Sequence, residues 1–184
     1  MTITVFDGPL RTRRLHLRPP RSGDGAEMAA AMGESYDAVF PWFSGGMGSK
    51  ATECDPVWQE IVAGRFSDQF ADGSRYPFLA FDGQTLVAFA ELTPMARQRL
   101  LRLSFWTRAR FQRQGIATEA CAAVLRFGFE RLHARAVFAS RDRGNLASAA
   151  TLARLGFEPQ PLCSPTGRIV RHRLTDPGRL PPRT

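Results

Sequence analysis

The order of strand-like and helix-like segments in this sequence predicts an α/β fold, in which helices pack in layers against a mixed sheet. Two apolar runs are joined by Asp82-Gly83, which is a strong signal for an antiparallel hairpin. A third run, Leu100–Thr107, alternates like a half-buried strand and leads through a glycine-containing turn into a helical pattern. A strand, a helix and a last strand follow, so we expect residues 1–176 to form one domain.

The first elements are a short strand and two helices. In Thr12–Arg18, leucines alternate with basic residues, which is a strand pattern. Asp24 can cap a helix that ends at Gly33, and Asp55-Pro56 opens a second helix, with Pro56 in its first turn, that ends before Asp72-Gly73. The apolar face of this second helix would consist of Val57, Ile61, Val62 and Phe66.

Between these two helices the sequence predicts an irregular loop. Phe40–Gly48 places bulky aromatic residues beside a glycine-rich run. We expect Trp42 and Phe43 to bind the substrate from this loop, although two ordinary core anchors would give the same pattern.

The remaining elements follow the hairpin. Its strands, Tyr76–Phe81 and Leu86–Leu92, should form a three-stranded meander with Leu100–Thr107. A helix after Glu119 would bury one face, made of Cys121, Val124, Leu125, Gly128 and Leu132. The C-terminal elements would be a buried strand at Ala136–Ser140, a helix from Asn145 to Leu155, a strand at Arg168–Leu174 and a loose tail from Pro177 to Thr184.

Composition favours a compact protein with an anionic ligand. Of its 184 residues, 43% are hydrophobic and 10% aromatic, which argues against disorder. The formal charge is +8, and Lys50 is the only lysine, so arginine supplies nearly all of the positive charge. Arginine binds phosphate in a fork, and nucleic acid is the other anionic partner to consider. A loose cluster near the glycine turn comprises Arg97, Arg99, Arg102, Arg108, Arg110 and Arg113.

The three cysteines argue against a disulfide framework or a metal site. Cys54, Cys121 and Cys163 are far apart and lack metal-ligand spacing. The chain has no apolar leader and no apolar run near the roughly 20 residues of a membrane helix. We therefore expect a cytoplasmic protein that holds no metal.

The glycine turn has the properties of a phosphate site. Within Arg110–Ala120, the first amides of the following helix lack partners and lie at the positive end of its dipole. Gly115 lets an anion approach the backbone closely. The spacing matches neither a Walker loop nor a dinucleotide motif. A polar turn that only caps the helix is the alternative.

Two motifs resemble the GNAT superfamily, the general N-acetyltransferases. Gln112-x-x-Gly115-x-Ala117 resembles their pyrophosphate motif, and Asn145-x-x-Ser148 with Leu155-Gly156-Phe157 resembles the pattern one strand later. With Leu15-x-Leu17-Arg18-Pro19 and Pro41-Trp42, the resemblance extends roughly from Leu10 to Leu174 and points to the RimJ/RimL-type branch, which acetylates ribosomal-protein N-termini.

This resemblance implies a GNAT-like sheet of six to seven strands with about four helices. The sheet would splay apart between Leu100–Thr107 and Ala136–Ser140 and hold acetyl-CoA, the acyl donor, in the gap. The resemblance places Phe105, Trp106, Thr107 and Asn145 on the pantetheine arm, and Gln112, Arg113, Gln114, Gly115, Ile116, Ala117 and Thr118 on the pyrophosphate.

It also suggests the catalytic groups. Ser148 would lie near the sulfur and protonate or hydrogen-bond the leaving thiolate, whereas the alternative makes Asn145 and Ser148 ordinary helix-capping groups. Many relatives have a tyrosine acid where this chain has Leu152. Glu91 is the first candidate for the general base, through a water if necessary, although a salt-bridged surface glutamate would look the same.

We therefore expect a cytoplasmic acetyl-CoA-dependent N-acetyltransferase in which the amine attacks the thioester directly in a ternary complex. The expected acceptor is a protein or peptide N-terminal amine. The alternatives are a small amine such as an antibiotic, polyamine or amino acid, and a non-catalytic acyl-CoA-binding module. We expect no membrane or nucleic-acid partner, and the sequence leaves the oligomeric state open, a homodimer included.

Overall fold

In the computed structural model, which describes residues 8–43, 47–97, 99–161 and 167–182, eight strands and five α-helices form an α/β fold. The strands are β1 (Leu10–Arg11), β2 (His16–Arg18), β3 (Tyr76–Asp82), β4 (Thr85–Pro94), β5 (Leu100–Thr107), β6 (Ala136–Asp142), β7 (Glu158–Pro159) and β8 (Ile169–Leu174). The helices are α1 (Gly25–Phe43), α2 (Lys50–Glu53), α3 (Pro56–Asp72), α4 (Ile116–Glu130) and α5 (Leu146–Arg154).

One open sheet has the strand order β1-β2-β3-β4-β5-β6-β8-β7. Strands β3, β4 and β5 form the predicted antiparallel meander, and Gly83 takes the left-handed conformation that the hairpin turn requires, with φ of 59°. β5 and β6 are parallel and pair only at Leu100↔Ala136, Leu101↔Val137 and Arg102↔Phe138. Beyond Arg102 the two strands separate, so the predicted mixed, splayed sheet is confirmed.

Helices cover the sheet on both faces. α4 and α5 bury one face, where Cys121, Val124 and Leu152 are fully enclosed. α1 and α3 cover the other face of β3 and β4, where Met28 and Ala63 pack against the sheet. α4 lies so close to the sheet that a Cβ on Gly128 would be 2.8 Å from Leu92 Cδ1. That distance is too short for any residue but glycine unless the Leu92 side chain or the helix shifts.

α1 is longer than predicted. The expected stop at Gly33 and the expected loop from Phe40 are wrong, because the helix continues to Phe43. A glycine inside a helix costs only about 1 kcal/mol relative to alanine, and burial of Ser35, Tyr36 and Val39 beyond it outweighs that cost. Residues 44–46 of the predicted loop lie outside the described part of the chain, as does Cys163.

α3 begins at Pro56 as predicted and includes Asp72, one residue beyond its predicted end, and its predicted apolar face is partly wrong. Asp55 accepts hydrogen bonds from the first-turn amides, and Gly73 ends the helix in the left-handed conformation. Val57 and Ile61, however, are 72% and 50% exposed, while Gln59 and Ala63 are buried. The helix therefore packs about one position away from the face that its apolar residues suggest.

Three further segments differ from expectation. β1 and β7 were not predicted, because two-residue strands are too short to show alternation. In the described residues 177–182 the chain is anchored on the domain through Leu180, where a loose tail was expected. A 3-10 turn at Pro177–Arg179 leads to Leu180, which is 7% exposed within the main core.

Candidate active site

A cleft of about 1280 Å³ opens where β5 and β6 separate. Its walls include the ends of these two strands, α4, the first turn of α5, the last turn of α1, residues 10–14 and residues 181–182. Most of the residues predicted from sequence to form the site line it: Trp42, Phe43, Phe105, Trp106, Thr107, Gln112, Arg113, Gly115, Ile116, Ala117, Thr118, Asn145 and Ser148. Gln114 and Glu91 do not line the cleft.

The far end of β5 offers one unpaired edge to the cleft. Phe105, Trp106 and Thr107 pair with β4 on one side, but β6 has already left their other side. Their outward backbone groups can therefore pair with an extended ligand, as a strand would. Gln112 Nε2 donates to the Thr107 carbonyl at 3.2 Å, so the unpaired edge ends at Thr107.

The turn that leads into α4, residues 112–118, presents backbone donors to the same cleft, and we call it the cradle. Gly115 is the N-cap residue and lies in the left-handed region with φ of 78°, and Arg113 does so with φ of 61°. No side chain caps this end of α4, so its first-turn amides are available to an anion. Such an arrangement of donors can bind a phosphate group.

The segment that joins β1 to β2 braces this turn through Arg14. Its guanidinium donates to Glu119 Oε2 at 2.7 Å and to the Gln114 carbonyl at 3.0 Å. Glu119 Oε1 also accepts from the Thr12 hydroxyl at 2.6 Å. Burial alone would raise the pKa of Glu119, but the hydrogen bonds from Thr12 and Arg14 hold that pKa below its ordinary value. The ionised carboxylate thus ties β1 and β2 to the cradle.

A buried arginine fixes the other side of the turn. Arg108 follows β5, is 4% exposed, and donates to Glu34 at 2.5 and 2.9 Å and to Glu27 at 2.8 Å. Its hydrogen bonds lower the pKa of Glu34. One residue later, the Ala109 amide donates to Ser35 Oγ at 3.0 Å. α1 therefore holds the strand end from which the cradle begins.

These bracing residues were missed by sequence reasoning. Glu27 and Glu34 are seven positions apart, which places them on one helix face, so their spacing was a usable signal. The signal was lost because α1 was expected to end at Gly33, before Glu34. Arg14 and Thr12 gave no local signal, because their partner is 105 or more residues away.

The first turn of α5 faces the cleft from β6. Asn145 Oδ1 accepts from the Ser148 amide at 3.0 Å, so Asn145 is the helix cap. The Ser148 side chain is half-buried and lines the cleft. Leu152, one turn further, is fully buried and points into the core, so it has no part in the cleft.

A buried histidine supports the turn that leads into α5. Arg141 donates to the Asp142 and Arg143 carbonyls at 3.0 Å each, and its Nε lies 3.2 Å from His172 Nε2. Burial and the nearby Arg141 charge lower the pKa of His172. A neutral His172 therefore accepts the hydrogen bond that orients Arg141, and Arg141 in turn fixes the carbonyls ahead of Asn145.

Glu91 lies away from the cleft. It is 1% exposed, and its two oxygens accept from Arg75 and from the Thr93 hydroxyl, each at 2.6 Å. Its cross-strand partner Ser104 does line the cleft. Its role as a general base stays a prediction, and any proton transfer to it would have to pass through a bridging group.

Trp42 and Phe43 reach the cleft from a helix, not from a loop. They end α1, and Trp42 is 44% exposed. α1 lies on the sheet face opposite to α4 and α5, so these rings border the cleft from the side away from the cradle. Their substrate contact also stays a prediction.

No helix in the described part of the chain is long and apolar enough to cross a membrane. Among the same residues, no group of three or more histidine, cysteine, aspartate or glutamate side chains could hold a metal ion.

Comparison with known proteins agrees with this geometry. The family described as "Acetyltransferase (GNAT) domain" matches residues 14–158. Among solved structures, the chain is similar to Mycobacterium smegmatis RimJ in complex with CoA-disulfide, with 22% identity, a TM-score of 0.82, and coverage of 96% of this chain and 89% of that one. It is also similar to the ribosomal-protein-S5-alanine acetyltransferase of Vibrio fischeri, with 14% identity, a TM-score of 0.78, and coverage of 92% and 97%.

A third similar structure is the microcin C7 self-immunity acetyltransferase MccE in complex with acetyl-CoA and AMP, with 12% identity, a TM-score of 0.77, and coverage of 89% and 93%. No curated protein matches the sequence significantly. At these identities the structural likeness shows the fold, whereas the family match covers most of the chain.

Proposed function

This chain belongs to the GNAT acetyltransferase family, and from that premise we propose that its acceptor is the N-terminal α-amine of a protein or peptide. The family makes it an acetyl-CoA-dependent N-acetyltransferase. The names of similar structures, RimJ and the S5-alanine acetyltransferase, support a protein acceptor. MccE, a self-immunity enzyme, keeps a small-molecule acceptor as the second candidate.

The observation that favours an α-amine is the state of the carboxylates in the cleft. Glu119 is held by Thr12 and Arg14, and Asp142 by Arg168 and the Gly144 amide. The hydrogen bond from Arg168 is the main cause of a lowered pKa for Asp142, which makes it a weak base. Glu130, the third carboxylate, also has an interaction partner. The cleft therefore lacks an unengaged carboxylate base among its described residues.

A site without a strong base suits an amine that is already partly neutral. An α-amine has a pKa near 8, so about a tenth is neutral at pH 7, whereas for lysine the fraction is below about a thousandth. We assign the coenzyme to the cradle at Gln112–Thr118 and the open edge of β5, and the acceptor to the opposite side, beside Trp42 and Phe43.

In this arrangement the neutral amine attacks the thioester carbon directly, and the carbon–sulfur bond breaks. The nitrogen loses its proton to solvent, and the leaving thiolate gains one. We assign delivery of that second proton to Ser148, which passes its hydroxyl proton to the sulfur as solvent reprotonates its oxygen; its half-buried side chain borders the cleft, and its position is fixed through Asn145. Backbone amides at the end of β5 would polarise the carbonyl.

The acceptor is tested by comparing kcat/KM for short peptides with free N-termini against the same peptides with blocked N-termini and one lysine. Aminoglycosides and spermidine are tested as a third group of acceptors. We expect the free N-termini to be preferred by at least about a hundredfold over lysine, from the neutral fractions above. Acetylation of only the small amines would reject the peptide acceptor and leave the acetyltransferase assignment intact.

A further inference from the structure

Three exposed arginines form a basic surface beside the cleft, on the sheet face opposite to α4 and α5. We call Arg102, Arg171 and Arg173 the arginine face. Arg102 lies on β5 and pairs with Phe138 of β6, which pairs in turn with Arg173 of β8. Paired residues point to the same side of a sheet, and Arg173 stacks over the Phe138 ring at 5.8 Å.

This face is open and its charges are unpaired. All three arginines are exposed, and none makes an ion pair within the part of the chain that the structure describes. Acidic neighbours are engaged elsewhere. Glu158, across from Arg173, is paired with Arg179, and Asp142 is paired with Arg168. Three uncompensated guanidinium groups on one surface favour an anionic partner.

The arginine face is continuous with the cleft. Ser104 is two residues beyond Arg102, and Ser140 is the cross-strand partner of Arg171, and both serines line the cleft. Residues two apart on a strand are about 7 Å apart. A chain whose first residue enters the cleft from this side would therefore lie over the arginine face within its next few residues.

We propose that the arginine face selects acceptors with acidic residues shortly after the N-terminus, so the favoured substrate is an acidic polypeptide. This inference rests on the proposed function. Arg171 and Arg173 are alternate residues of β8, so their spacing matches alternate side chains of an extended peptide that runs along the strand. Each charge pair would form at a solvent-exposed rim and act mainly on encounter and KM.

A nucleic-acid partner fits this surface less well. Single-stranded RNA is usually bound by stacking bases on exposed aromatic rings. The ring that lies among the three arginines is Phe138, and Arg173 already covers it, whereas the exposed Trp42 borders the cleft and not the arginine face. The surface thus supplies charge without a stacking platform.

The test compares three peptides with the same Ala-Ala start, followed by Glu-Asp-Glu-Asp, by the isosteric Gln-Asn-Gln-Asn, or by Lys-Lys-Lys-Lys. We expect kcat/KM for the acidic peptide to exceed that for the neutral one by about tenfold at low salt, mostly through KM, and this ratio should shrink as salt is added. In the triple variant R102Q/R171Q/R173Q the ratio should fall toward one. The matched control is Arg21→Gln, which removes one exposed arginine at the β2 end of the sheet and should keep the ratio.

A charge-reversal variant makes the test independent of any loss of folding. R171E/R173E should prefer the lysine peptide over the acidic one, because both charges on β8 are inverted. A wild-type ratio near one, or a ratio that survives in the triple variant, would overturn the proposal. So would inhibition by a short single-stranded RNA combined with no preference for acidic peptides, since the occupant would then be RNA. In all these cases acetylation of the neutral peptide would still uphold the proposed function, whereas failure to acetylate any free N-terminus would reject that function itself.

Discussion

Arg14 Nε lies 2.7 Å from Glu119 Oε2, although the two residues are 105 positions apart, and this pair closes the β1–β2 hairpin onto the first turn of α4. The same guanidinium binds the Gln114 carbonyl beside Gly115. The position of the proposed pyrophosphate cradle therefore depends on Arg14, which lies between β1 and β2, before the first helix.

The first prediction concerns Glu119→Gln. The change removes the charge that holds Arg14 and should lower the free energy of unfolding by about 1–3 kcal/mol. It should also weaken acetyl-CoA binding. Because the folded-state pKa of Glu119 is lowered, its contribution is present above its ordinary value of 4.5 and is lost as the pH falls below it. The variant should thus show a smaller loss of stability in acid than the wild type.

Urea unfolding at several pH values and calorimetry with acetyl-CoA measure both effects. The control is Asp37→Asn, which breaks the exposed Lys50–Asp37 pair and should change neither quantity appreciably. Equal effects of the two variants would show that the Arg14–Glu119 pair has no special role in the cradle.

The second prediction is that Gly115→Glu abolishes acetyl-CoA binding. The new side chain would crowd the pyrophosphate and place a like charge beside it. Gly83→Glu is a matched control, since Gly83 also has a positive φ and lies in an exposed hairpin turn, where a Cβ would meet no other heavy atom within 4 Å. Calorimetry on both folded variants should show binding only for the control. Retained affinity in Gly115→Glu would mean that the anion site lies elsewhere.

The third prediction is that Ser148→Ala lowers kcat by about tenfold to a thousandfold, the range for one positioned proton donor. Binding of acetyl-CoA in the ground state should change much less, because charge gathers on sulfur only as the bond breaks. Ser67→Ala on α3 controls for loss of a hydroxyl outside the cleft. Full turnover in Ser148→Ala would leave this serine as part of the α5 cap.

The fourth prediction separates two roles of Glu91. If Glu91 serves the fold, Glu91→Gln leaves Arg75 without its charge partner and should cost about 1–3 kcal/mol of stability. If Glu91 is the base, the acid limb of the kcat/KM profile against pH should change as well. We expect the loss of stability with an unchanged pH profile, and a flattened acid limb would instead support catalysis by Glu91.

The fifth prediction concerns the pH dependence of stability through His172. Its pKa is lowered in the folded protein, so the unfolded chain takes up the proton first and stability falls as the pH drops below the ordinary value of 6.5. His172→Gln should remove part of this fall, with the exposed His133→Gln as control. Unfolding free energies across this pH range give the two slopes, and identical slopes in wild type and His172→Gln would exclude the effect.

Local patterns predicted most of the fold. The Asp82-Gly83 turn, the helix start at Asp55-Pro56 and the glycine turn before α4 each depend on neighbours in sequence, and each is present. The end of α1 was wrong because packing beyond Gly33 outweighs a local helix-breaking preference. The two-residue strands gave too little alternation to detect.

The candidate site, like the fold, was predicted where the signal is local and missed where it depends on distant residues. The motif residues come together because they lie at the ends of consecutive elements around one gap. The bracing contacts of Arg14, Arg108 and His172 were missed, because each residue acts through a partner far away in sequence. Their roles depend on tertiary pairing, which no window of a single sequence reveals.

The three paired positions that join β5 to β6 also affect how easily the gap between these strands can open. In the described sheet, strands β1–β5 are joined to strands β6–β8 by pairing at only three β5 residues, Leu100, Leu101 and Arg102. Because so few hydrogen bonds join the two halves, we expect the gap beyond Arg102 to open and close locally. An acyl donor lying in that gap would contact both halves of the sheet. Amide hydrogen exchange along Leu103–Thr107 and Ala139–Asp142 should then slow together on acetyl-CoA binding, and thermal unfolding should shift upward with the concentration of the donor.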